Sequence, residues 1–179
     1  SIALDGPDFS WVYLWYPDDT GHAYGDSEAH FESIRHADSQ VGLIWTSIQQ
    51  RMEQYNEDWM VVITTDHGRA LPDGRNHGGQ TDREKTVWFA TNHPDVNEYF
   101  MNGEVQHVDL YPSIAHHLDV EIPTDLNREL DGISFIGPVE ISSLNAERNN
   151  EILSLSWSAH EAQNSMTECE ATVFLADGD

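Results

Sequence analysis

The chain has 179 residues and a formal net charge of −24, because 32 Asp and Glu residues face only 8 Lys and Arg residues. A field of this sign repels phosphate backbones, which argues against binding of duplex nucleic acid. No apolar run is long enough to span a membrane, and the single cysteine, Cys169, excludes an internal disulfide and a Cys-rich zinc site.

The first two predicted elements are a strand and a long helix. Residues 10–16 are strand-like, and residues 26–56 predict one helix that Asp26 or Ser27 caps. Apolar residues recur in this helix at spacings of three, four or seven, so one face is expected to be buried, and Asp38 on that face would need a partner. The apolar residues are Phe31, Ile34, Val41, Trp45, Ile48, Met52 and Tyr55.

Three more elements follow. Residues 59–65 are a short, apolar, β-branched run typical of a strand in a parallel sheet, and residues 86–90 predict another strand. Residues 105–118 predict a short strand or loop that runs into a helix. Strand, helix, strand, loop, strand and helix is the order of an α/β protein.

The end of the chain has a different pattern. Residues 152–158 alternate apolar and small polar side chains, and residues 171–175 predict a further strand, with no helical period between them. These features predict the first strands of a β-sandwich. Two or three such strands are not stable alone, so this part is expected to be truncated or docked on the main domain.

Metal-ligand residues follow the predicted strands. They are Asp18 with His22, Asp66 with His67, and His77. In open α/β sheets, ligands bind beyond the carboxyl ends of the strands, so these side chains are expected to converge. Carboxylate and imidazole ligands without cysteine suit zinc, manganese or iron. Taken singly, an Asp–His pair after a strand is more often a structural pair, and His77, beside Asn76 and two glycines, is consistent with an ordinary surface loop.

Three segments carry a family resemblance. They are PDDTGHAYG (residues 17–25), TTDHGR (64–69) and NHGGQTDRE (76–84), with a long helix between the first two. In this order they resemble the metal-binding motifs of the alkaline phosphatase superfamily, most closely its type I phosphodiesterase/nucleotide pyrophosphatase branch, with sulfatases and phosphomutases related. The segment ELDGISFIGP (129–138) is similar to the closing segment of sulfatase-like members.

The resemblance, together with the strand pattern near the end of the chain, implies a domain organisation. Residues 1–138 are expected to form the C-terminal part of an alkaline phosphatase-like catalytic domain, with an α/β sheet flanked by helices. Residues 139–179 are expected to be a linker and the first strands of a truncated β-sandwich of fibronectin or immunoglobulin type. Asp109, in HVDLYP, resembles an aspartate that braces the fold in sulfatase-like members.

The resemblance also implies a site with two divalent metal ions, with zinc expected and manganese or iron as alternatives. Asp18, His22 and His77 would bind one ion, and Asp66 and His67 the other. The Ser or Thr nucleophile and one further aspartate are expected upstream of Ser1, so the chain alone is expected to be inactive. Three arginines flank the histidines and would bind phosphate oxygens, although pairing with carboxylates is the alternative. They are Arg69, Arg75 and Arg83.

The expected function is metal-dependent hydrolysis of a small phosphate ester, of the phosphodiesterase/nucleotide pyrophosphatase or phosphatase type. A two-metal site can stabilise both oxygens of an in-line displacement at phosphorus. A sulfatase or phosphomutase on the same fold is an alternative, because metal ligands alone do not select the ester. A non-catalytic, metal-braced binding or surface protein is another. The apparent sandwich favours an extracellular or periplasmic location.

Overall fold

The structure, a computed structural model, describes residues 1–139, 141–150 and 152–159. It divides into two compact units, Ser1–His93 and Pro94–Asp179. No helix in the described part has the length and apolarity needed to cross a membrane. The predicted strand at residues 171–175 lies outside the described residues, and the predicted domain boundary after residue 138 stays a prediction.

The first unit combines helices with a small sheet, and the α/β fold class is confirmed. Its described elements are α1 (Ile2–Asp5), α2 (Tyr16–Tyr24), α3 (Glu28–Tyr55), β1 (Val62–Thr64), α4 (Asp82–Lys85) and β2 (Phe89–Thr91). Strand β1 pairs antiparallel with β2, with Ile63 opposite Ala90. The parallel pairing expected from the apolar run at residues 59–65 is therefore not found among the described strands.

The strand predicted at residues 10–16 is wrong. Residues 10–15 have no regular secondary structure, and α2 begins at Tyr16. A strand needs a neighbour for its backbone hydrogen bonds, and the described sheet of this unit contains only β1 and β2. Pro17 near the helix start and Asp18 in the first turn instead favour a helix N-terminus.

The long helix α3 is confirmed. The side chain of Ser27 caps it by accepting a hydrogen bond from the His30 N–H. The expected burial of its apolar face is only partly right, because Ile48 is buried whereas Phe31 is 47% exposed. Asp38 is exposed, so its carboxylate needs no buried partner. Helix α3 packs against the short helices α1 and α2, which cover only part of its 28 residues.

Arg51 fastens the C-terminal end of α3. Its guanidinium donates to both carboxylate oxygens of Glu57, at 2.7 and 2.5 Å. The Glu57 carboxylate also accepts from the indole N–H of Trp59 at 2.7 Å, which joins the helix end to the segment leading into β1. Arg51 lies 4.7 Å above the Tyr55 ring and reaches the carbonyl of Ala3 in α1. One buried cation therefore links three segments.

This contact makes the stability of the first unit depend on pH. The hydrogen bonds from Arg51 and Trp59 outweigh burial and hold the pKa of Glu57 below its ordinary value of 4.5. A carboxyl group whose pKa is lower in the folded than in the unfolded chain stabilises the fold at every pH above its ordinary pKa. That stabilisation is lost as the pH falls through the folded-state pKa. Urea unfolding from about pH 5.5 to about pH 3 should therefore show a shallower loss of stability in Glu57→Gln than in wild type. Exposed Glu53→Gln is the control, and equal slopes for wild type and Glu57→Gln would contradict the expectation.

The second unit holds short helices and a hairpin. Its described elements are α5 (Glu98–Met101), a 3₁₀ turn (His107–Asp109), α6 (Leu110–His117), α7 (Thr124–Asn127), β3 (Ile141–Asn149) and β4 (Ile152–Ala159). The loop and helix predicted at residues 105–118, and the strand predicted at residues 152–158, are confirmed. Strands β3 and β4 pair antiparallel, and the β-sandwich stays a prediction.

Asp109 organises the core of the second unit. Its side chain is only 1% exposed and accepts three hydrogen bonds. The donors are the Tyr99 hydroxyl at 2.8 Å, the Gln106 N–H at 2.6 Å and the Ile133 N–H at 2.8 Å. Because two of these donors are backbone groups from separate loops, the carboxylate braces the fold, as the resemblance implied.

Replacing Asp109 with Ala should strongly destabilise the second unit. The substitution leaves three donors without their acceptor, and each unsatisfied buried group costs about 1–3 kcal/mol. We expect the free energy of unfolding to fall by about 3 kcal/mol or more in urea titrations. Asp125→Ala, at an exposed position of α7, should change it little. A loss below about 1 kcal/mol for Asp109→Ala would show that the carboxylate does not brace the fold.

Candidate metal centre

Helix α2 presents Asp18 and His22 on one side. The two residues are four positions apart, so their side chains lie one turn apart on the same face. His22 Nε2 lies 3.3 Å from Asp18 Oδ2. The sequence predicted these residues in a loop after a strand, but the same spacing brings them together on the helix that forms instead.

The loops between β1 and α4 bring two more histidines to this helix. His77 Nε2 lies 3.0 Å from His22 Nε2 and 3.6 Å from Asp18 Oδ1. The His67 ring stacks on the His77 ring with centroids 3.7 Å apart, and His67 Nε2 lies 4.0 Å from Asp18 Oδ1. One ligand atom each from Asp18, His67 and His77 fall within 4.8 Å of one another. The carboxylate of Asp18 is thus the common neighbour of three imidazoles.

Asp66 joins the cluster through His67. Its Oδ2 lies 3.5 Å from His67 Nε2, and its Oδ1 accepts the His67 N–H at 3.0 Å. The Asp66 side chain is the most exposed of the five predicted ligands, at 63%. The structure therefore brings all five residues together as a continuous series of contacts, although they come from three separate segments.

The distances within the set Asp18, His22 and His77 suit a shared ion. Metal bonds of about 2.0–2.2 Å place two ligand atoms of one ion roughly 3–4 Å apart. The separation of the two Nε2 atoms is 3.0 Å, and His22 and His77 lie 3.3 Å from Asp18 Oδ2 and 3.6 Å from Asp18 Oδ1, so all three values lie in that range but involve both carboxylate oxygens. The assignment of this set to one ion, and of Asp66 and His67 to another, stays a prediction.

Two of the histidines are oriented by backbone carbonyls. His22 Nδ1 lies 2.7 Å from the carbonyl oxygen of Arg75, and His67 Nδ1 lies 2.8 Å from that of Gly68. A carbonyl oxygen only accepts, so each Nδ1 carries the hydrogen, and Nε2 of the neutral ring keeps its lone pair for the cluster. Metal-binding histidines characteristically use this arrangement. The donor set therefore fits a divalent cation such as zinc, manganese or iron.

Arg69 balances the charge of Asp18. Its Nη1 donates to Asp18 Oδ1 at 2.5 Å, and the arginine side chain is only 11% exposed. Burial raises the pKa of Asp18, but the hydrogen bond from Arg69 and the charges of His22, Arg69 and His77 hold that pKa below its ordinary value. The central group of the cluster is therefore a carboxylate at neutral pH.

The three arginines predicted to bind substrate all have acceptors within the protein. Arg69 bonds to Asp18 and the carbonyls of Gly74 and Arg75, Arg75 to Asp73 and the carbonyl of Ala23, and Arg83 to Asp26 and the carbonyl of Ala70. These contacts match the alternative that the arginines pair with protein acceptors. A role in binding substrate stays a prediction.

Glu84 is a residue of this region that the sequence analysis did not single out. It lies in α4, is only 7% exposed, and its carboxylate accepts from the Gly79 N–H and the Thr81 hydroxyl. The available signal was the spacing of Thr81 and Glu84, because a Thr followed three residues later by a Glu forms a capping box at a helix start.

The family of the chain follows from its sequence match. The family model described as type I phosphodiesterase / nucleotide pyrophosphatase matches residues 2–118, so the chain belongs to this family. The resemblance to this branch of the alkaline phosphatase superfamily is thereby confirmed. Chemistry at phosphoester bonds is the activity common to this family.

Two curated proteins are similar to the chain. GPI ethanolamine phosphate transferase 3 of Eremothecium gossypii is 31% identical over 122 residues, which cover 59% of this chain and 11% of that protein. GPI ethanolamine phosphate transferase 2 of Schizosaccharomyces pombe is 27% identical over 121 residues, which cover 59% of this chain and 16% of that protein. The chain therefore spans a small part of the length of these relatives. No solved structure matches it.

Substituting Arg69 should destabilise the cluster. Arg69→Met keeps an unbranched apolar stem but removes the charge and the hydrogen bonds to Asp18 and Gly74. We expect the free energy of unfolding to fall by about 2 kcal/mol, the typical contribution of a hydrogen bond to a charged group. Arg35→Met is the matched control, because Arg35 makes its two ion pairs on the exposed side of α3. Equal losses in urea titrations of the two variants would contradict a special role of Arg69.

Proposed function

We propose that this chain carries the metal site of a metal-dependent phosphoester hydrolase of the phosphodiesterase/nucleotide pyrophosphatase type. The observation that carries the proposal is the convergence of three imidazoles on the Asp18 carboxylate. Membership of the type I phosphodiesterase family supports the same chemistry.

The cluster would hold two divalent ions. Asp18, His22 and His77 would bind one, and Asp66 and His67 the other, with zinc the first choice for imidazole and carboxylate ligands. When bound, such ions polarise a phosphoryl oxygen and neutralise charge that develops on the attacking and leaving oxygens.

The protein's own residues prepare this site. The carbonyls of Arg75 and Gly68 fix the rings of His22 and His67, so little reorganisation is needed when a cation binds. Arg69 keeps Asp18 ionised and in place. The formal net charge of −24 raises the local concentration of cations around the chain.

Transfer of a phosphoethanolamine group is the second candidate function. Both curated relatives are named as ethanolamine phosphate transferases, which favours it. Transfer and hydrolysis share the displacement at phosphorus, and they differ in whether a hydroxyl of a second substrate or water accepts the group. Nothing in the metal ligands themselves distinguishes the two acceptors.

Zinc binding tests the site directly. The 179-residue chain, freed of metal by a chelator, should bind Zn²⁺ in calorimetric titrations. His77→Ala should weaken binding by at least about 100-fold, because loss of even an outer-shell partner costs 10–100-fold. His107→Ala, which removes an imidazole from the second unit, should bind like wild type. Equal affinity of His77→Ala and wild type would contradict the ligand assignment.

Activity is assayed in the longest coding sequence that contains this chain. A panel of a phosphodiester, a phosphomonoester, a sulfate ester and a phosphoethanolamine ester, with and without an alcohol acceptor, separates hydrolase, sulfatase and transferase. Cleavage should be lost with a chelator and in His77→Ala. Zinc binding without cleavage of any ester would instead favour the metal-braced binding protein.

A further inference from the structure

Helix α4, which follows both loops in the chain, contacts the loop that carries His67 and the loop that carries His77. The carbonyl oxygen of Glu84 accepts the N–H of Gly68, the residue after His67, at 2.8 Å. The carboxylate Oε1 of Glu84 accepts the N–H of Gly79, two residues after His77, at 2.9 Å. One residue therefore fastens both histidine loops, the first through its backbone and the second through its side chain.

The two glycines fit this close approach. A Cβ atom at Gly79 would lie 2.6 Å from Glu84 Oε2, and a Cβ atom at Gly68 would lie 1.9 Å from the carbonyl oxygen of Arg83. Both distances are shorter than van der Waals contact allows. Gly68, directly after His67, and Gly79, two residues after His77, therefore leave the space that α4 occupies.

The Glu84 carboxylate is itself held rigidly. Its Oε2 accepts the Thr81 hydroxyl at 2.6 Å. The capping box at the start of α4 adds two bonds, because the Thr81 N–H donates to Glu84 Oε2 and the Glu84 N–H donates to Thr81 Oγ1. The side chain is buried, and both of its oxygens are engaged. A fixed acceptor of this kind restricts the position of the Gly79 N–H and hence of the His77 backbone.

We propose that Glu84 is a positioning residue that holds His77 against His67 and Asp18, so that the metal ligands are pre-assembled. The inference rests on the proposed function for its consequence, the affinity for metal. Glu84 acts through the reach of its side chain to Gly79. Its negative charge is not the source of the effect.

Two conservative variants separate the effect of the length of the Glu84 side chain from the effect of its charge. Glu84→Asp keeps the charge but shortens the side chain by one carbon–carbon bond, about 1.5 Å, so the carboxylate no longer reaches Gly79. Glu84→Gln loses the charge but keeps an acceptor oxygen at the same distance. Asp82→Asn is the matched control for charge, because Asp82 lies exposed on the same short helix.

Two measurements are made on each variant of the chain. The first is the affinity for Zn²⁺, which should fall about 10-fold in Glu84→Asp, in the range found for groups that orient metal ligands. It should stay near the wild-type value in Glu84→Gln and Asp82→Asn. The second is the set of NMR cross-peaks between the rings of His67 and His77 in the metal-free chain, whose centroids are 3.7 Å apart. These should be lost in Glu84→Asp and kept in the other two variants.

The outcomes separate this inference from the proposed function. If Glu84→Asp keeps the wild-type affinity for Zn²⁺ and intact contacts between the two rings, the inference is overturned. A loss of affinity or of ring contacts only in Glu84→Gln would also overturn it, because that result would indicate an effect of charge. If wild type does not bind Zn²⁺, the proposed function fails, and the ring contacts alone decide the role of Glu84. If Glu84→Asp does not fold, Gly79→Ala replaces it, because its Cβ displaces the same carboxylate; unchanged ring contacts in that variant would overturn the inference.

Discussion

The candidate site depends on one carboxylate, Asp18. Arg69 donates to one side of it, and His22, His67 and His77 approach it to within 4.0 Å. A partly buried carboxylate is costly unless it is paired and hydrogen-bonded, and Arg69 supplies that partner. Because the contacts come from α2 and from two loops of the chain, the ionised Asp18 holds together elements that share little apolar core.

Backbone groups position the histidines that surround Asp18. Carbonyl groups orient the imidazoles of His22 and His67, and the short helix α4 fixes the loops on which His67 and His77 lie. Loops are more mobile than the elements they connect, so a geometry accurate to a few tenths of an ångström needs such anchors. The cost is a requirement for glycine at positions 68 and 79, where residues of the α4 region approach the backbone.

The family assignment limits the chemistry without selecting the reaction. The matched relatives are named as transferases, whereas the family description names phosphodiesterases and pyrophosphatases. These reactions use the same substitution at phosphorus and differ in the acceptor. The selection therefore depends on groups that bind the acceptor and the alcohol portion of the ester.

The α/β class, helix α3 and the five residues of the cluster can be predicted from the sequence alone, because they follow from local periodicity, capping and motif spacing. The sequence did not determine that residues 10–15 lack a strand or that β1 pairs antiparallel with β2. Strand formation and direction depend on which segment lies alongside, and that is not encoded within the strand itself.

The arrangement of the side chains within the cluster depends on tertiary packing. The sequence predicted separate ligand sets for Asp18 and Asp66 and a phosphate-binding role for Arg69, and these stay predictions. The fold adds that His67 stacks on His77 and that Arg69 pairs with Asp18. It also brought Glu84 between the histidine loops. The contacts of helix α2 with the histidine loops join residues 51 and 55 positions apart in the chain. They depend on how the helix and the loops pack, which the local sequence pattern does not predict.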